Sequence, residues 1–492
     1  MKETKKTDIK FHVPLLWNCL PELVEGGLGL RLASKTITLI LTTVLMITGC
    51  QQGDNNKEEN TGSEVRLITL DPSHFHAALV QKSMYPGIDS IVYVYAPKGL
   101  GLDEQLNYIK QYNSRTEDPT HWVERIYNGN DYLQKMLDDK KGNVVVLAGN
   151  NLLKTEYIKK SVDDGLNVLA DKPMAINTAG FDTLKQAFAD AKEKGVLLYD
   201  IMTERSVAAS MLQKKLANMP SVFGELQKGT ADSPAIIMES VHRYFKQVSG
   251  KPLIRPDWFF DPLQQGDAIV DVGTHLVDLV QWVCFPDVAL DYAKDISIQS
   301  SKIWPTPINL SQFSIITNED HFPDFLKKYI KDDSILSTHG NGSIDYTIKG
   351  IHSRVTAKWT YDAPAGAGDT YAAMLQGTKA NLEIRQGAEE NWKAVLYVWP
   401  QNSKDTNDLS KALGDAVKDM NKDMPGVSVA QYKTGWKIII PEKFDQGHES
   451  HFAEVMKRYL HYLKDGKLPD WEVPGMIAKY YITTKALEMA QQ

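Results

Sequence analysis

The feature that most constrains the fold is an alternation of strand-like and helix-like segments between Val65 and Tyr199. The helical pattern is clearest from Phe181 to Lys194, where apolar side chains recur every three or four residues and Gly195 follows as a stop signal. Strands that alternate with helices form a parallel sheet with both faces covered. The strand-like runs are residues 65–70, 91–95, 144–148, 167–170 and 196–199. The pattern predicts an α/β, Rossmann-like domain over residues 64–205.

The pattern changes after about Ser206, where longer β-rich segments with a period of two become frequent. This period is typical of an antiparallel sheet with one covered face. The segments are residues 236–241, 344–348, 355–360, 394–399 and 436–440. Residues 206–492 are therefore expected to form an α+β domain on a largely antiparallel sheet, with helices near 452–464 and 476–489 that pack back on the body.

The N-terminal residues belong to neither domain. Arg31 and Lys35 precede an apolar run over residues 37–47, which is too short to span a bilayer and is typical of a signal peptide. The run ends in Ile-Thr-Gly-Cys50, which resembles a bacterial lipobox. We expect residues 1–50 to hold a signal peptide with this lipobox, and Cys50 to carry lipid; the alternative is a short buried helix or an anchor. Residues 1–30 fit no part of a signal peptide and are expected to be an extra N-terminus from a start codon assigned too early. Residues 51–63 are polar and are expected to be a disordered tether in the cell envelope, in the periplasm or at the cell surface.

Charge and cysteine content exclude several classes of protein. The net charge is −7, so the chain has no basic excess for binding nucleic acid. Its three cysteines, Cys19, Cys50 and Cys284, have neither the spacing of a zinc site nor that of a disulfide scaffold. The two histidines of Gly447–Phe452 are interpreted as part of a helix start, so no metal site is expected.

Two polar motifs could carry chemistry. The first is Asp171-Lys172-Pro173, which follows a buried strand. The carboxyl ends of strands line the ligand crevice of open α/β sheets. The alternative is a plain turn, which would have the same sequence pattern. The second is Asp271 and His275, which share a face if their segment is helical. A carboxylate beside an imidazole would fix its tautomer and raise its basicity, whereas the alternative is a solvated polar face.

These motifs, with Trp258 between them, resemble those of the glucose–fructose oxidoreductase / inositol dehydrogenase (Gfo/Idh/MocA) family. That family carries Glu-Lys-Pro after a Rossmann strand, then a Trp-rich segment, then Asp-x-x-x-His on the first helix of its second domain. The order and spacing match here, with Asp171 in place of the glutamate. The segment from Trp359 onward is similar to the C-terminal domain of some oxidoreductases of this family.

The resemblance implies hydride transfer between NAD or NADP and a hydroxyl of a sugar, cyclitol or glycoside. Lys172 would stabilise developing negative charge, His275 would remove the hydroxyl proton, and Asp271 would orient His275 or the sugar. Arg205, Asp271 and His275 would contact the substrate. Homo-oligomers are common among such relatives. The implied cofactor contacts are Ser73, His74, Phe75, Asn150, Asn151, Asp171, Lys172 and Trp258.

The expected nucleotide fingerprint is missing. Residues 71–76 read Asp-Pro-Ser-His-Phe-His, whereas GxGxxG glycines normally let the backbone approach the pyrophosphate. A helix N-terminus there still offers N–H groups to an anion. The second strand ends in Tyr95-Ala96-Pro97, without an acid for the ribose or an arginine for a 2′-phosphate. We expect a nucleotide site built without glycines that holds NAD or NADP tightly.

Three functions are consistent with these observations. The first is an NAD(P)-dependent oxidoreductase acting on a sugar, cyclitol or glycoside. The second is an NAD-dependent glycosidase that oxidises a hydroxyl transiently, eliminates the aglycone and reduces the sugar again. The third is a non-catalytic glycan-binding lipoprotein on the same fold. The altered turn favours the third function, whereas Lys172 and the Asp271–His275 pair favour the first two.

Overall fold

The computed structural model describes residues 65–248, 251–332, 334–364, 367–402 and 406–492. The predicted signal peptide, the lipidation of Cys50 and the tether lie outside these residues. None of the helices within the described ranges combines the length and apolar content that crossing a membrane requires.

The N-terminal domain is a six-stranded parallel sheet in the order β3-β2-β1-β4-β5-β6. Its central strands are buried on both faces, which explains their unbroken apolar sequences. The strands are β1 (Leu67–Leu70), β2 (Ile91–Tyr95), β3 (Val123–Tyr127), β4 (Val144–Leu147), β5 (Asn167–Asp171) and β6 (Leu198–Ile201). The helices are α1 (His76–Val80), α2 (Leu100–Ser114), α3 (Tyr132–Asp139), α4 (Lys154–Asp163) and α5 (Thr178–Lys194).

Helix α5 shows how local sequence fixes these boundaries. The Asn177 side chain accepts a hydrogen bond of 2.8 Å from the Gly180 N–H and caps the first turn. The helix ends at Gly195, whose φ of +70° is readily adopted only by glycine. Between these caps, Phe181, Leu184 and Phe188 are buried against the sheet.

The C-terminal domain is built on a nine-stranded sheet in the order β10-β14-β15-β7-β16-β17-β18-β20-β19. Its strands are β7 (Ile236–Arg243), β10 (Ile296–Trp304), β14 (Asn341–Ile348), β15 (Ile351–Thr360), β16 (Thr370–Gln376), β17 (Ala380–Arg385), β18 (Val395–Pro400), β19 (Ser428–Tyr432) and β20 (Gly435–Ile439). Only the β15–β7 pair is parallel among these described strands. Small additional ladders join β8 (Gln247–Val248) with β9 (Lys251–Pro252), and β11 (Ile308–Asn309) and β12 (Ile330–Lys331) with β13 (Ile335–Leu336). The expected fold class, a Rossmann-like domain followed by a largely antiparallel α+β domain, is confirmed.

The helices of this half are α6 (Ala208–Ala217), α7 (Ala268–Cys284), α8 (Tyr292–Asp295), α9 (Leu310–Thr317), α10 (Thr406–Asp423), α11 (His448–Asp465) and α12 (Glu472–Ala490). Helix α7 is buried almost all round, between α6, α12 and strands β14 and β15. Asp271 and His275 therefore do not lie on a solvated polar face, which was the alternative interpretation of their spacing.

The last two helices return to the N-terminal domain. Phe452, Met456 and Tyr459 of α11 and Met476 and Tyr480 of α12 belong to the same apolar core as the parallel sheet. The expected packing of the C-terminal helices against the body is thus found, and their partner is the Rossmann-like domain.

Candidate active site

The predicted catalytic groups come from two domains and meet at the carboxyl edge of the parallel sheet. Lys172 directly follows β5, and Asp271 lies in the first turn of α7. The Lys172 Nζ donates a hydrogen bond of 2.6 Å to Asp271 Oδ1, and their side chains are only 11% and 7% exposed. This buried ion pair crosses the crevice between the domains and fixes the lysine at its edge.

The charges of the pair reinforce each other. Burial lowers the pKa of Lys172, but the carboxylates of Asp271 and Asp171 outweigh burial, so the pKa lies above its ordinary value. Burial raises the pKa of Asp271, yet the charge and hydrogen bond of Lys172 bring the net value below the usual range. Lys172 is therefore an ammonium ion at physiological pH and serves as a charged hydrogen-bond donor.

His275 lies one helical turn beyond Asp271 and is largely buried. Its pKa is well below 6.5, first because of burial and then because of the positive charge of Lys172, so the ring is neutral. The expectation that Asp271 would raise the basicity of His275 is wrong, because the carboxylate is bound to Lys172 instead. The Nδ1 atom of His275 is buried without a hydrogen-bond partner among the described residues, so a proton acceptor or donor is available to a ligand there.

The turn after β1 is built without glycine. Asp71 has a φ of +47°, a left-handed conformation that Asp tolerates better than most residues. The Ser73 Oγ accepts a hydrogen bond of 2.8 Å from the Asn150 N–H, which ties the turn to the loop after β4. A Cβ on Gly101 would lie 2.8 Å from the Pro72 oxygen and the Ser73 Cα, so α2 begins in direct contact with this turn.

Gly149→Ala tests how tightly this turn is held. A Cβ at Gly149 would lie 2.3 Å from the Asp71 oxygen and 2.8 Å from the Ser73 Oγ, so the turn would have to move. We expect the free energy of unfolding to fall by about 1–3 kcal/mol. Gly414→Ala, in the open interior of α10, is the control and should raise stability by about 0.5–1 kcal/mol. Urea unfolding of both variants measures these changes. A Gly149→Ala protein as stable as the wild type would contradict the close packing.

His74, Phe75 and Asp171, three of the expected cofactor contacts, lie together with His76. The His76 Nδ1 is 2.9 Å from Asp171 Oδ2, and the His74 Nδ1 is 3.8 Å from the same oxygen. Burial is the largest cause of a pKa well below 6.5 for both imidazoles. The Phe75 ring contacts both imidazoles and packs against the core of the parallel sheet.

The structure gives Asn150 and Asn151 a different role from the expected cofactor contacts. The Asn150 side chain donates to Gln264 Oε1 at 2.9 Å, and the Asn151 side chain donates to the Gln265 oxygen at 2.7 Å. Asn151 is buried and its Oδ1 also accepts from Lys154. These hydrogen bonds join the β4–α4 loop to the segment before α7, and a contact of either amide with a cofactor remains a prediction.

The expectation that Arg205 contacts the substrate is also wrong. Its guanidinium donates two bonds of 2.7 Å to Asp278 and binds Glu472 at 2.8 Å, and the side chain is 5% exposed. Asp278 further binds Lys479, which reaches Asp200 at 2.7 Å. Arg205 thus belongs to a buried ion-pair network that joins β6, α7 and α12.

Trp258 lies in a short 3₁₀ turn and packs half-buried against the core of the C-terminal domain. This is the packing role that a tryptophan in this segment would have without any ligand. Its contact with a cofactor or sugar remains a prediction.

The sequence reasoning missed several charged residues that face Lys172. Glu204 lies just beyond β6 and interacts electrostatically with Lys172, Lys246 and Asp369. Lys246 and the His242 Nδ1 both bind Asp369, the latter at 3.1 Å. Glu204 could have been found by inspecting the residues directly after each strand, whereas Asp369 meets His242 only because β16 pairs with β7.

The pKa of Glu204 predicts a measurable pH effect. Burial raises this pKa from 4.5 to about 7, partly opposed by Lys172. The folded protein then binds a proton that the unfolded chain releases, so the contribution of this carboxyl to stability is greatest below pH 4.5 and falls as pH rises towards 7, by at most about 1.4 kcal/mol per unit. Glu204→Gln should remove this dependence and be the more stable form at pH 8. Urea unfolding between pH 4 and 8 checks it; parallel pH profiles for both proteins would contradict it.

The edge of the sheet has features that fit a dinucleotide. Leu100, which lies after β2, is 79% exposed, and Leu152, which lies after β4, is 56% exposed. These apolar side chains flank the turn after β1, where a Rossmann domain receives the pyrophosphate of a dinucleotide. The ammonium groups of Lys154 and Lys172 and the unpartnered His275 Nδ1 supply polar contacts at the same edge. The residues at this edge therefore fit a dinucleotide without a glycine-rich loop.

Comparison with known proteins agrees with this fit. Residues 212–491 match a family described as "Putative oxidoreductase C terminal domain", and residues 102–199 match one described as "Oxidoreductase family, NAD-binding Rossmann fold". The second match begins beyond the turn that lacks glycines. No curated protein matches the sequence.

Solved structures show the same relationship. A crystal structure of a "putative oxidoreductase" from Parabacteroides merdae is 51% identical, with a TM-score of 0.85 over 87% of this chain and 98% of that chain. A levoglucosan dehydrogenase in complex with NADH and levoglucosan is 12% identical (TM-score 0.55, 87% and 97% of the two chains) and shares the fold. So does a 3-ketoreductase from Actinomadura kijaniata in complex with TDP-benzene and NADP, at 12% identity (TM-score 0.52, 86% and 97%). The chain therefore belongs to the Gfo/Idh/MocA family of oxidoreductases and joins that family's NAD-binding Rossmann fold to its oxidoreductase C-terminal domain.

Proposed function

We propose that this enzyme oxidises or reduces a hydroxyl-bearing carbon of a sugar, cyclitol or glycoside with NAD or NADP. The observation that carries the proposal is the buried Lys172–Asp271 ion pair across the crevice, with neutral His275 one helical turn away. Levoglucosan dehydrogenase, which shares the fold, has been solved with levoglucosan and NADH.

The chain's own residues divide the chemistry among them. Lys172 donates a hydrogen bond to the substrate oxygen and stabilises the negative charge that develops on it. Neutral His275 accepts the hydroxyl proton, and its low pKa limits it to a transient acceptor. Asp271 holds the ammonium in place and keeps it charged. The bound nicotinamide supplies the hydride acceptor or donor for this step.

The cofactor would be held by the turn after β1 and by the loops on either side of it. Ser73, His74 and Phe75 border the pyrophosphate position, and Leu100 and Leu152 offer apolar walls to the adenine. Tight retention suits a protein in the cell envelope, where free nicotinamide cofactor is scarce.

Native mass spectrometry of the purified protein tests the cofactor proposal. We expect a mass increment equal to NAD or NADP, released on denaturation with the absorbance of a nicotinamide. If the protein is purified without cofactor, calorimetric titration with NADH and NADPH shows whether it binds either one. No bound dinucleotide and no binding of either added form would overturn the proposal.

A second candidate function is a glycosidase that uses the cofactor transiently. The observation that favours it is Glu204, a carboxyl with a pKa of about 7 that interacts with Lys172 and can be protonated near neutral pH. Such a group can protonate a departing aglycone oxygen. Release of free sugar from a glycoside without net NADH production, lost in Glu204→Gln, would support it. Stoichiometric NADH with no aglycone release would exclude it.

We also propose that the protein is exported and anchored to the membrane through lipid on Cys50. The support is the basic and apolar leader followed by the Ile-Thr-Gly-Cys50 sequence. Metabolic labelling with a radioactive fatty acid should label the wild-type protein but not Cys50→Ser. Equal labelling of both, or a soluble wild-type protein without lipid, would contradict the anchor.

A further inference from the structure

Two imidazoles and a carboxylate meet beside the proposed reaction centre, and the proposed proton and hydride transfer does not use the two imidazoles. We propose that His74, His76 and Asp171 bind one divalent first-row metal ion, such as Zn²⁺, Fe²⁺ or Co²⁺, at the carboxyl edge of the parallel sheet. This site goes beyond the proposed redox function and does not depend on it.

The ligand atoms are arranged closely enough for one ion. The two Nδ1 atoms lie 3.8 Å and 2.9 Å from Asp171 Oδ2, for His74 and His76 respectively. All three ligand atoms lie within 4.8 Å of one another. Ligands bound at about 2.0–2.2 Å to a tetrahedral ion are separated by about 3.3–3.6 Å, so small side-chain shifts would complete the site. The N–H of His76 lies 3.4 Å from the His74 Nδ1, a weak contact that an ion would replace.

The charge of Asp171 supplies an independent argument. This carboxylate is 5% exposed, and its ion-pair partners in the described part of the chain are the two imidazoles. The ammonium groups of Lys172 and Lys154 act on this carboxylate electrostatically, while their hydrogen bonds go to Asp271 and Asn151. As the anionic ligand of the set, Asp171 would partly neutralise a bound cation and favours a cation over a neutral ligand.

The donor set defines the class of ion and its chemistry. Two imidazoles and one carboxylate suit zinc, iron, manganese, cobalt or nickel rather than calcium, which prefers oxygen ligands alone. Three protein ligands leave at least one position open. His74 is the most exposed of the three, at 21%, so the open position faces the crevice and would take an oxygen atom of water or of a bound ligand.

The test is metal binding by the full chain after removal of metals with a chelator. Titration with Co²⁺ should show one ion per chain and visible d–d absorption, and Zn²⁺ should displace it. His76→Ala and Asp171→Asn should each weaken binding by about 100-fold or more. His339→Ala is the matched control, because His339 lies 3.3 Å from Asp267 in a pair that lacks a second imidazole; it should bind like the wild type.

Circular dichroism and urea unfolding of each variant show that it is folded before binding is measured. Wild-type protein that binds no Co²⁺ or Zn²⁺ at micromolar concentrations, or a folded His76→Ala variant that binds like the wild type, would overturn the site. Metal binding by a protein that binds no dinucleotide would contradict the proposed cofactor alone. Dinucleotide binding without metal binding would contradict this inference alone.

Discussion

Lys172→Met is expected to lower the rate of hydride transfer by about 10²–10³-fold, the usual loss when one donor to a developing oxyanion is removed. The ammonium is buried, held 2.6 Å from Asp271 and kept charged by two carboxylates, so no other group can take its place at the same oxygen. Methionine preserves most of the volume of the side chain. The effect should therefore be on the chemical step, while the affinity for the dinucleotide changes much less.

The measurement is single-turnover formation of NADH by protein loaded with NAD, on the sugar or glycoside that the wild type oxidises fastest. Lys294→Met is the control, because Lys294 is 82% exposed and far in sequence from the site. Its rate should equal that of the wild type. Unchanged rate and unchanged glycan affinity in Lys172→Met would refute the catalytic assignment and favour a glycan-binding protein.

Arg205→Leu is expected to destabilise the protein by about 3–5 kcal/mol, because it leaves Asp278 and Glu472 as buried charges without their main partner. Burial raises the pKa of Asp278, but Arg205 and Lys479 bring it well below 3.8. The stabilisation that the ionised Asp278 gives is therefore present above about pH 4 and is lost as the pH falls further.

Urea unfolding at pH 7 measures this loss. Arg205→Lys should be intermediate, because a lysine keeps the charge but not the paired geometry of the guanidinium. Lys418→Ala is the control, since Lys418 pairs with Asp415 at the surface, and it should show no measurable change. An Arg205→Leu protein as stable as the wild type would show that the network is not a structural link.

Periodic patterns in the sequence were sufficient to predict the helices and strands that bury an apolar face. Helix α5 and the central strands β1, β4 and β5 were predicted because their apolar side chains repeat at the helical period or form short unbroken apolar runs. Strand β3 was not predicted, because it lies at the edge of the sheet and its Val-Glu-Arg-Ile-Tyr sequence leaves most side chains exposed. An edge strand with mostly exposed side chains carries too little apolar signal to be found from its own residues, whereas the buried edge strand β6 was found.

The same limit applies to the site. The approach of Lys172 to Asp271 could be predicted, because motif order and the strand-end rule place both at one crevice. That Asp271 would pair with Lys172 instead of His275 could not be predicted, since His275 shares its helical face while the lysine arrives from another domain. Arg205 was misassigned for a related reason: Asp278 and Glu472 come from α7 and α12, and only the tertiary fold brings them to it.

The return of α11 and α12 to the parallel sheet has a consequence for how the chain matures. The core of the nucleotide-binding half is completed by side chains such as Tyr459 and Tyr480, which are synthesised after the whole nine-stranded sheet. That half cannot reach its final packing until α11 and α12 have been synthesised. A fragment that ends at the domain boundary near residue 205 would lack part of its hydrophobic core. The two halves therefore cannot be exchanged between relatives as independently folding domains.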